Sequence, residues 1–79
     1  MIVFLVKKEE TDAMAIYLYG PDEKHMGEFT LNKHTGEVRE TLKSPVENHR
    51  RLFIAGASKI RIALRTGLPL PARELYASG

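Results

Sequence analysis

The side chains best suited to engaging another molecule are Arg50, Arg61 and Arg65. At about 100° per residue they share roughly one third of a helical circumference, and Ile54 and Ile62 stand among the charges of that side. Guanidinium groups in such a stripe bind phosphates or carboxylates. On phosphates the binding would weaken steeply with salt. On carboxylates the two isoleucines would form the apolar centre of an interface with an arginine rim. Two isoleucines on a charged face suit a protein surface better than a phosphate backbone, although single apolar residues on a surface are ordinary. The partner expected first is therefore a protein with an acidic surface, and nucleic acid is the alternative. Base reading by a sheet would also call on Tyr17, Tyr19, Thr30 and Arg39 on an exposed sheet face. No RNP-type or helix-turn-helix pattern accompanies them.

Other reactive residue types lack the company that chemistry needs. His25 and His34 fall in loops and His49 on a packing arc, none beside a group that would tune a general base. The acidic runs Glu9-Glu10-Thr11-Asp12 and Asp22-Glu23 lack the ligand spacing of a calcium loop. Gly56-Ala57-Ser58-Lys59 has the flavour of a phosphate loop, but it lies in mid-helix, where backbone amides are already bonded. Ser58 has no activating base, and without cysteine there is no thiol nucleophile, zinc-thiolate site or disulfide. The expectation is a protein with no catalytic residue, no metal site and no cofactor.

Strands and one helix must position the arginine stripe. Residues 2–6 are β-branched and aromatic, and residues 13–19 alternate with period two, Met14, Ile16 and Leu18 against Ala15, Tyr17 and Tyr19. Gly20-Pro21-Asp22 marks a turn before a third strand over 26–32. Residues 32–37 read as a hairpin loop with Gly36 in the left-handed position, followed by a fourth strand over 37–43. In that strand Val38 and Leu42 point one way, Arg39 and Thr41 the other. Ser44-Pro45-Val46-Glu47 has the form of a helix start, with a capping hydroxyl, proline in the first turn and a glutamate reaching back. The helix is expected over 44–66, ended by Gly67. Its apolar arc runs through Val46, His49, Leu52, Phe53, Gly56, Ala57, Ile60, Ala63 and Leu64. Gly56 and Ala57 would let it approach the strands closely. Beyond it, residues 68–71 are extended around two prolines, and a short turn over 72–77 would dock Leu75 and Tyr76.

The fold expected is α+β: a four-stranded antiparallel meander, one long C-terminal helix (ββββα) and a short tail over 68–79, as a single domain over 1–79. The 79 residues are 43% hydrophobic and 28% charged, a globular balance that excludes disorder and repeats. Residues 1–45 carry six basic and eight acidic side chains, and residues 46–79 carry six and two, so the second half is the one that would attract an anionic partner. Five apolar residues at 2–6 fall short of the roughly 7–15 of a secretory signal or the roughly 20 of a membrane span. A cytoplasmic protein with no membrane partner is expected. Residues 2–6 are also apolar on both faces, although a meander puts that strand at an edge. Topology would move it inward, or the tail would cover it, or a second chain would, as in a homodimer through the sheet edge.

A closing segment of the form Lys59-Ile60-x4-Arg65-x-Gly67-x-Pro69-x6-Tyr76-Ala77, after a small antiparallel sheet and a basic helix, resembles the small immunity proteins of bacterial contact-dependent and polymorphic toxin systems. The resemblance covers mainly residues 37–79. It implies a non-enzymatic protein that binds and neutralises a toxin. The basic second half departs from the acidic character common among inhibitors of nucleases, which argues against a nuclease target.

Overall fold

Alternating residues of the first half form four consecutive strands in the computed structural model, which describes residues 2–77 and, at Tyr76, the backbone alone. These are β1 (Ile2–Glu10), β2 (Met14–Gly20), β3 (Gly27–Asn32) and β4 (Val38–Leu42). The helix α1 (His49–Arg65) follows, and β5 (Arg73–Ala77) then returns to the sheet. The strand order is β4-β3-β2-β1-β5, and every neighbouring pair is antiparallel.

The α+β architecture is as expected, but the sheet has five strands, not four. The tail expected to form a short turn over 72–77 pairs instead with β1, from Ile2 opposite Ala77 to Val6 opposite Arg73. An edge strand presents unpaired amides and carbonyls, and the tail supplies their partners. This makes β1 internal, so of the three alternatives for its two apolar faces the inward place is the one taken, and the edge where a second chain was another alternative is filled by the chain itself. The expected docking of the Tyr76 side chain lies outside the described residues.

One face of the sheet carries the core. Val3, Leu5, Ala15, Tyr17, Tyr19, Phe29 and Leu31 are fully buried against Leu52, Ala57 and Ile60 of α1. Tyr17 stacks on Phe29 with ring centroids 5.7 Å apart, and Phe53 meets Tyr19 at 5.8 Å and Phe29 at 5.7 Å. Tyr17 and Tyr19 therefore face the helix, and the exposed aromatic platform expected of them is absent. Of that set, Thr30 and Arg39 do lie opposite one another on the outer face. A β-carbon added at Gly56 would fall 2.8 Å from Leu5 Cδ2, which is the close helix–strand approach that the glycine suggested.

The helix begins five residues later than its sequence signal. Ser44 is buried, but its hydroxyl donates to the His25 carbonyl at 2.6 Å, and its amide donates to the Tyr19 hydroxyl at 3.2 Å. With Ser44 spent on the sheet, residues 45–48 form a turn, and Asn48 takes the N-cap position without a side-chain capping bond. The other end follows expectation: Gly67 has φ of 76° and its amide donates to the Leu64 carbonyl at 3.3 Å. In β4 an irregular register sets Phe29 opposite Glu40 and Glu28 opposite Leu42. The extra residue turns Leu42 outward, contrary to its expected alignment with Val38.

Candidate functional site: the outer face of the helix

The stripe of buried residues Leu52, Gly56, Ala57 and Ile60 fixes the rotation of α1 on the sheet. Everything opposite it must face outward. Arg50, Ile54, Arg61, Ile62 and Arg65 are all exposed, and Ile54 and Ile62 keep 51% and 56% of their surface open. Arg51 and Ser58 belong to the same exposed arc, and sequence reasoning had left them out of the site. The stripe runs from Arg50 to Arg65 over about 22 Å at 1.5 Å per residue. Arg61 and Arg65 are one turn apart, and Arg50 stands at the opposite end.

The helix contains no acidic residue from His49 to Arg65. Among the described residues no carboxylate lies within ion-pair distance of Arg50, Arg51, Arg61 or Arg65. Several carboxylates are instead engaged by cations of the sheet and its loops. Glu10 meets Lys7 at 2.6 Å and Lys33 at 2.8 Å, and Glu28 meets Lys8 at 3.0 Å. Hydrogen bonds from Lys33 and then Lys7 hold the Glu10 carboxyl below the usual range, and those from Lys8 and Thr41 do the same for Glu28. The outer side of the helix thus carries four arginines, Arg50, Arg51, Arg61 and Arg65, without a carboxylate partner among the described residues. Arg65 in the last turn also suits the helix dipole.

Towards its C-terminal end the helix shares a cleft of about 270 Å³ with the β3–β4 loop, where Lys33 and His34 approach Arg61, Leu64 and Arg65. Lys33 is already held by Glu10 and by the Thr11 carbonyl at 3.0 Å, so the arginines and His34 are the groups open to an anion there. Nothing local in the sequence signals this juxtaposition, because the loop and the helix meet only through the tertiary fold.

The histidines do not converge. His25 Nδ1 lies 2.8 Å from Asp22 Oδ1 in an exposed loop, and His34 is exposed. The ring of His49 sits at the helix–sheet seam, with Nδ1 buried, 3.6 Å from Glu40 Oε2 and without a hydrogen bond among the described residues. The Tyr19 hydroxyl donates to Glu40. Burial and that carboxylate push the Tyr19 phenol up to about 12, which keeps it neutral near physiological pH. The cluster ties β2, β4 and the start of α1 together. Among the described residues no group of three histidines or carboxylates could hold a metal ion.

Comparison with protein-family models, with curated proteins and with solved structures gives no significant match. Among the described residues no helix is long and apolar enough to cross a membrane.

Proposed function

We propose that this chain is a non-enzymatic binding module that docks an acidic protein surface with the outer face of α1, as a toxin-neutralising or regulatory protein would. The observation that carries this reading is the joint exposure of Ile54 and Ile62 within a field of arginines, Arg50, Arg51, Arg61 and Arg65, that have no carboxylate partner among the described residues. Arginine and large apolar residues are what interface centres select, and charged groups at the rim steer the encounter. A pure phosphate binder has no need of exposed isoleucine. The burial of Tyr17 and Tyr19 also removes the stacking groups that base recognition on the sheet would require.

Nucleic acid is the competing outcome of one experiment. The full chain is immobilised and exposed to host extract with and without nuclease treatment, and in parallel to duplex DNA over a salt series. A specific protein retained after nuclease treatment, released about tenfold faster from Ile54→Asp and associating more slowly with Arg61→Ala, supports the proposal. Retention that vanishes with nuclease, or DNA binding whose logarithm falls with log salt at a slope of about −0.9 per phosphate contacted, overturns it in favour of phosphate recognition.

A further inference from the structure

The cleft of about 270 Å³ between α1 and the β3–β4 loop gathers cationic groups from two elements about one space. The helix contributes Arg61 and Arg65, one turn apart and about 6 Å along the axis. The loop contributes His34, and Leu64 adds apolar lining. Lys33 also lines the cleft, but its ammonium is held by Glu10 at 2.8 Å and by the Thr11 carbonyl at 3.0 Å. Glu10 is shared with Lys7, so that group sets two ammoniums against one carboxylate and brings no net negative charge. Glu37, the carboxylate of the loop itself, lines the outer face of the sheet with Thr30 and Arg39 instead. Among the described residues Arg61, Arg65 and His34 have no ion-pair partner, and the charge of the cleft is unmatched.

The backbone around this space is already satisfied. Asn32 Oδ1 accepts from the amides of His34 and Thr35 at 2.9 and 3.1 Å, and the Asn32 carbonyl accepts from the Gly36 amide at 2.8 Å. On the helix side the carbonyls of Ile62, Ala63 and Leu64 accept from the amides of Thr66, Leu68 and Gly67. That capping blunts the repulsion which the negative end of a helix exerts on an anion. A ligand must therefore be held by side chains. An extended peptide, which seeks main-chain partners, finds none of these amides free, and the volume falls short of the roughly 300–1,000 Å³ that encloses a drug-sized molecule. One small oxyanion fits. A carboxylate or a phosphodiester brings one negative charge and two free oxygens, whereas a phosphomonoester brings about two charges and three oxygens. Two guanidinium forks and one imidazole match the phosphomonoester in both charge and number of donor groups.

We infer that this cleft binds the phosphomonoester group of a small molecule, with Arg61 and Arg65 clamping its oxygens and His34 donating to a third. Leu64 offers apolar contact to the carbon that bears the phosphate. This site goes beyond partner docking and does not depend on it, but the two share Arg61 and Arg65. Occupancy neutralises two of the four arginines on the outer side of the helix, so a phosphorylated small molecule competes with an acidic partner through charge.

Amide NMR spectra of the full chain, titrated with methyl phosphate at low ionic strength and at about pH 7.5, where a monoester is mostly dianionic, test this. The expected result is saturable shifts confined to residues 33–36 and 61–66, with a Kd of about 1 mM. Arg61→Gln and Arg65→Gln should each weaken binding by at least about tenfold, and His34→Ala by several-fold. Lys24→Gln removes the same charge from the loop at the opposite end of β3 and should leave the Kd within about twofold. All four positions are exposed, so the variants keep the fold. Acetate and dimethyl phosphate should bind at least about tenfold more weakly than methyl phosphate. No saturation up to about 50 mM methyl phosphate overturns the inference. So does a loss with Lys24→Gln as large as that with Arg65→Gln, which would reduce the effect to net charge. Equal affinity for acetate or dimethyl phosphate overturns it as well, in favour of a carboxylate or nucleic-acid contact. A phosphoserine peptide held at least about tenfold more tightly than methyl phosphate would assign the cleft to a modified protein and overturn the small-molecule reading.

Discussion

Tyr19 shows how a single hydroxyl can join three elements. It donates to Glu40 on β4 and accepts from the Ser44 amide just before the helix, while its ring packs against Phe29 and Phe53. Tyr19→Phe leaves the packing but strips Glu40 of a donor and the Ser44 amide of its acceptor, and should lower stability by about 1–3 kcal/mol in urea unfolding. The same residue sets the alkaline limit. Its neutral form is favoured in the fold, so the associated stability is complete below the unfolded phenol's value of 10.0 and is lost as pH rises towards about 12. Burial shifts Tyr17 in the same direction, and its hydroxyl donates to the Pro71 carbonyl at 2.5 Å. In a Tyr76→Phe variant, whose only phenols are Tyr17 and Tyr19, phenolate absorbance should therefore appear together with loss of ellipticity, in one cooperative step. Separate ionisation of the folded protein near pH 10 would contradict this. Alternation in 13–19 identified a two-faced strand, but period two alone does not say which face is inner. The tyrosines won the inner place because each found a partner for its hydroxyl.

At the scale of elements the consecutive antiparallel order of β2 to β4 and the rotation of α1 were legible, whereas the beginning of the helix was not. Ser-Pro-x-Glu is a strong local start signal, yet the hydroxyl that should cap the helix is bonded to the loop between β2 and β3. Competition between a local and a long-range acceptor cannot be judged without knowing what the fold brings near. The distinction is measurable. Ser44→Ala should cost about 1–2 kcal/mol and raise amide exchange in residues 21–26, leaving the first turn of α1 little changed. Increased exchange confined to residues 49–52 would restore the capping role. The arginine stripe was readable for the opposite reason: helical periodicity is local, and the apolar arc fixed which side faced outward. The bulge that turns Leu42 outward left no signature in composition.

On the scale of the whole molecule, the last strand completes what the first begins. Beyond the ladder itself, the Lys7 amide donates to the Ala72 carbonyl at 2.8 Å, the Lys7 ammonium to the Leu70 carbonyl at 3.1 Å, and Leu70 is buried. Ending the chain after Ala72 should leave the helix and four strands able to form but with β1 unpaired along one side. A fall in thermal midpoint of at least about 8 °C, with aggregation at lower concentration, is the expected result, since 1 kcal/mol corresponds to about 4–8 °C in a domain this small. An unchanged midpoint would make β5 an ornament. Sequence reading missed this strand because two prolines announce a tail, while its pairing partner lies at the far end of the chain. The two outer layers then differ in kind: the helix presents exposed arginines with Ile54 and Ile62, and the far face of the sheet presents Ile2 and Leu75.

The adjacency of β1 and β5 has a further consequence for how the protein is made. A ribosome releases β1 before anything else described here, and that strand must wait for nearly the whole remaining chain before its neighbour emerges. Until then a sticky ribbon of valine, leucine and phenylalanine stands open on the nascent polypeptide. Biogenesis is accordingly the moment of greatest hazard, when a chaperone or a neighbouring polysome has its best opportunity to intervene.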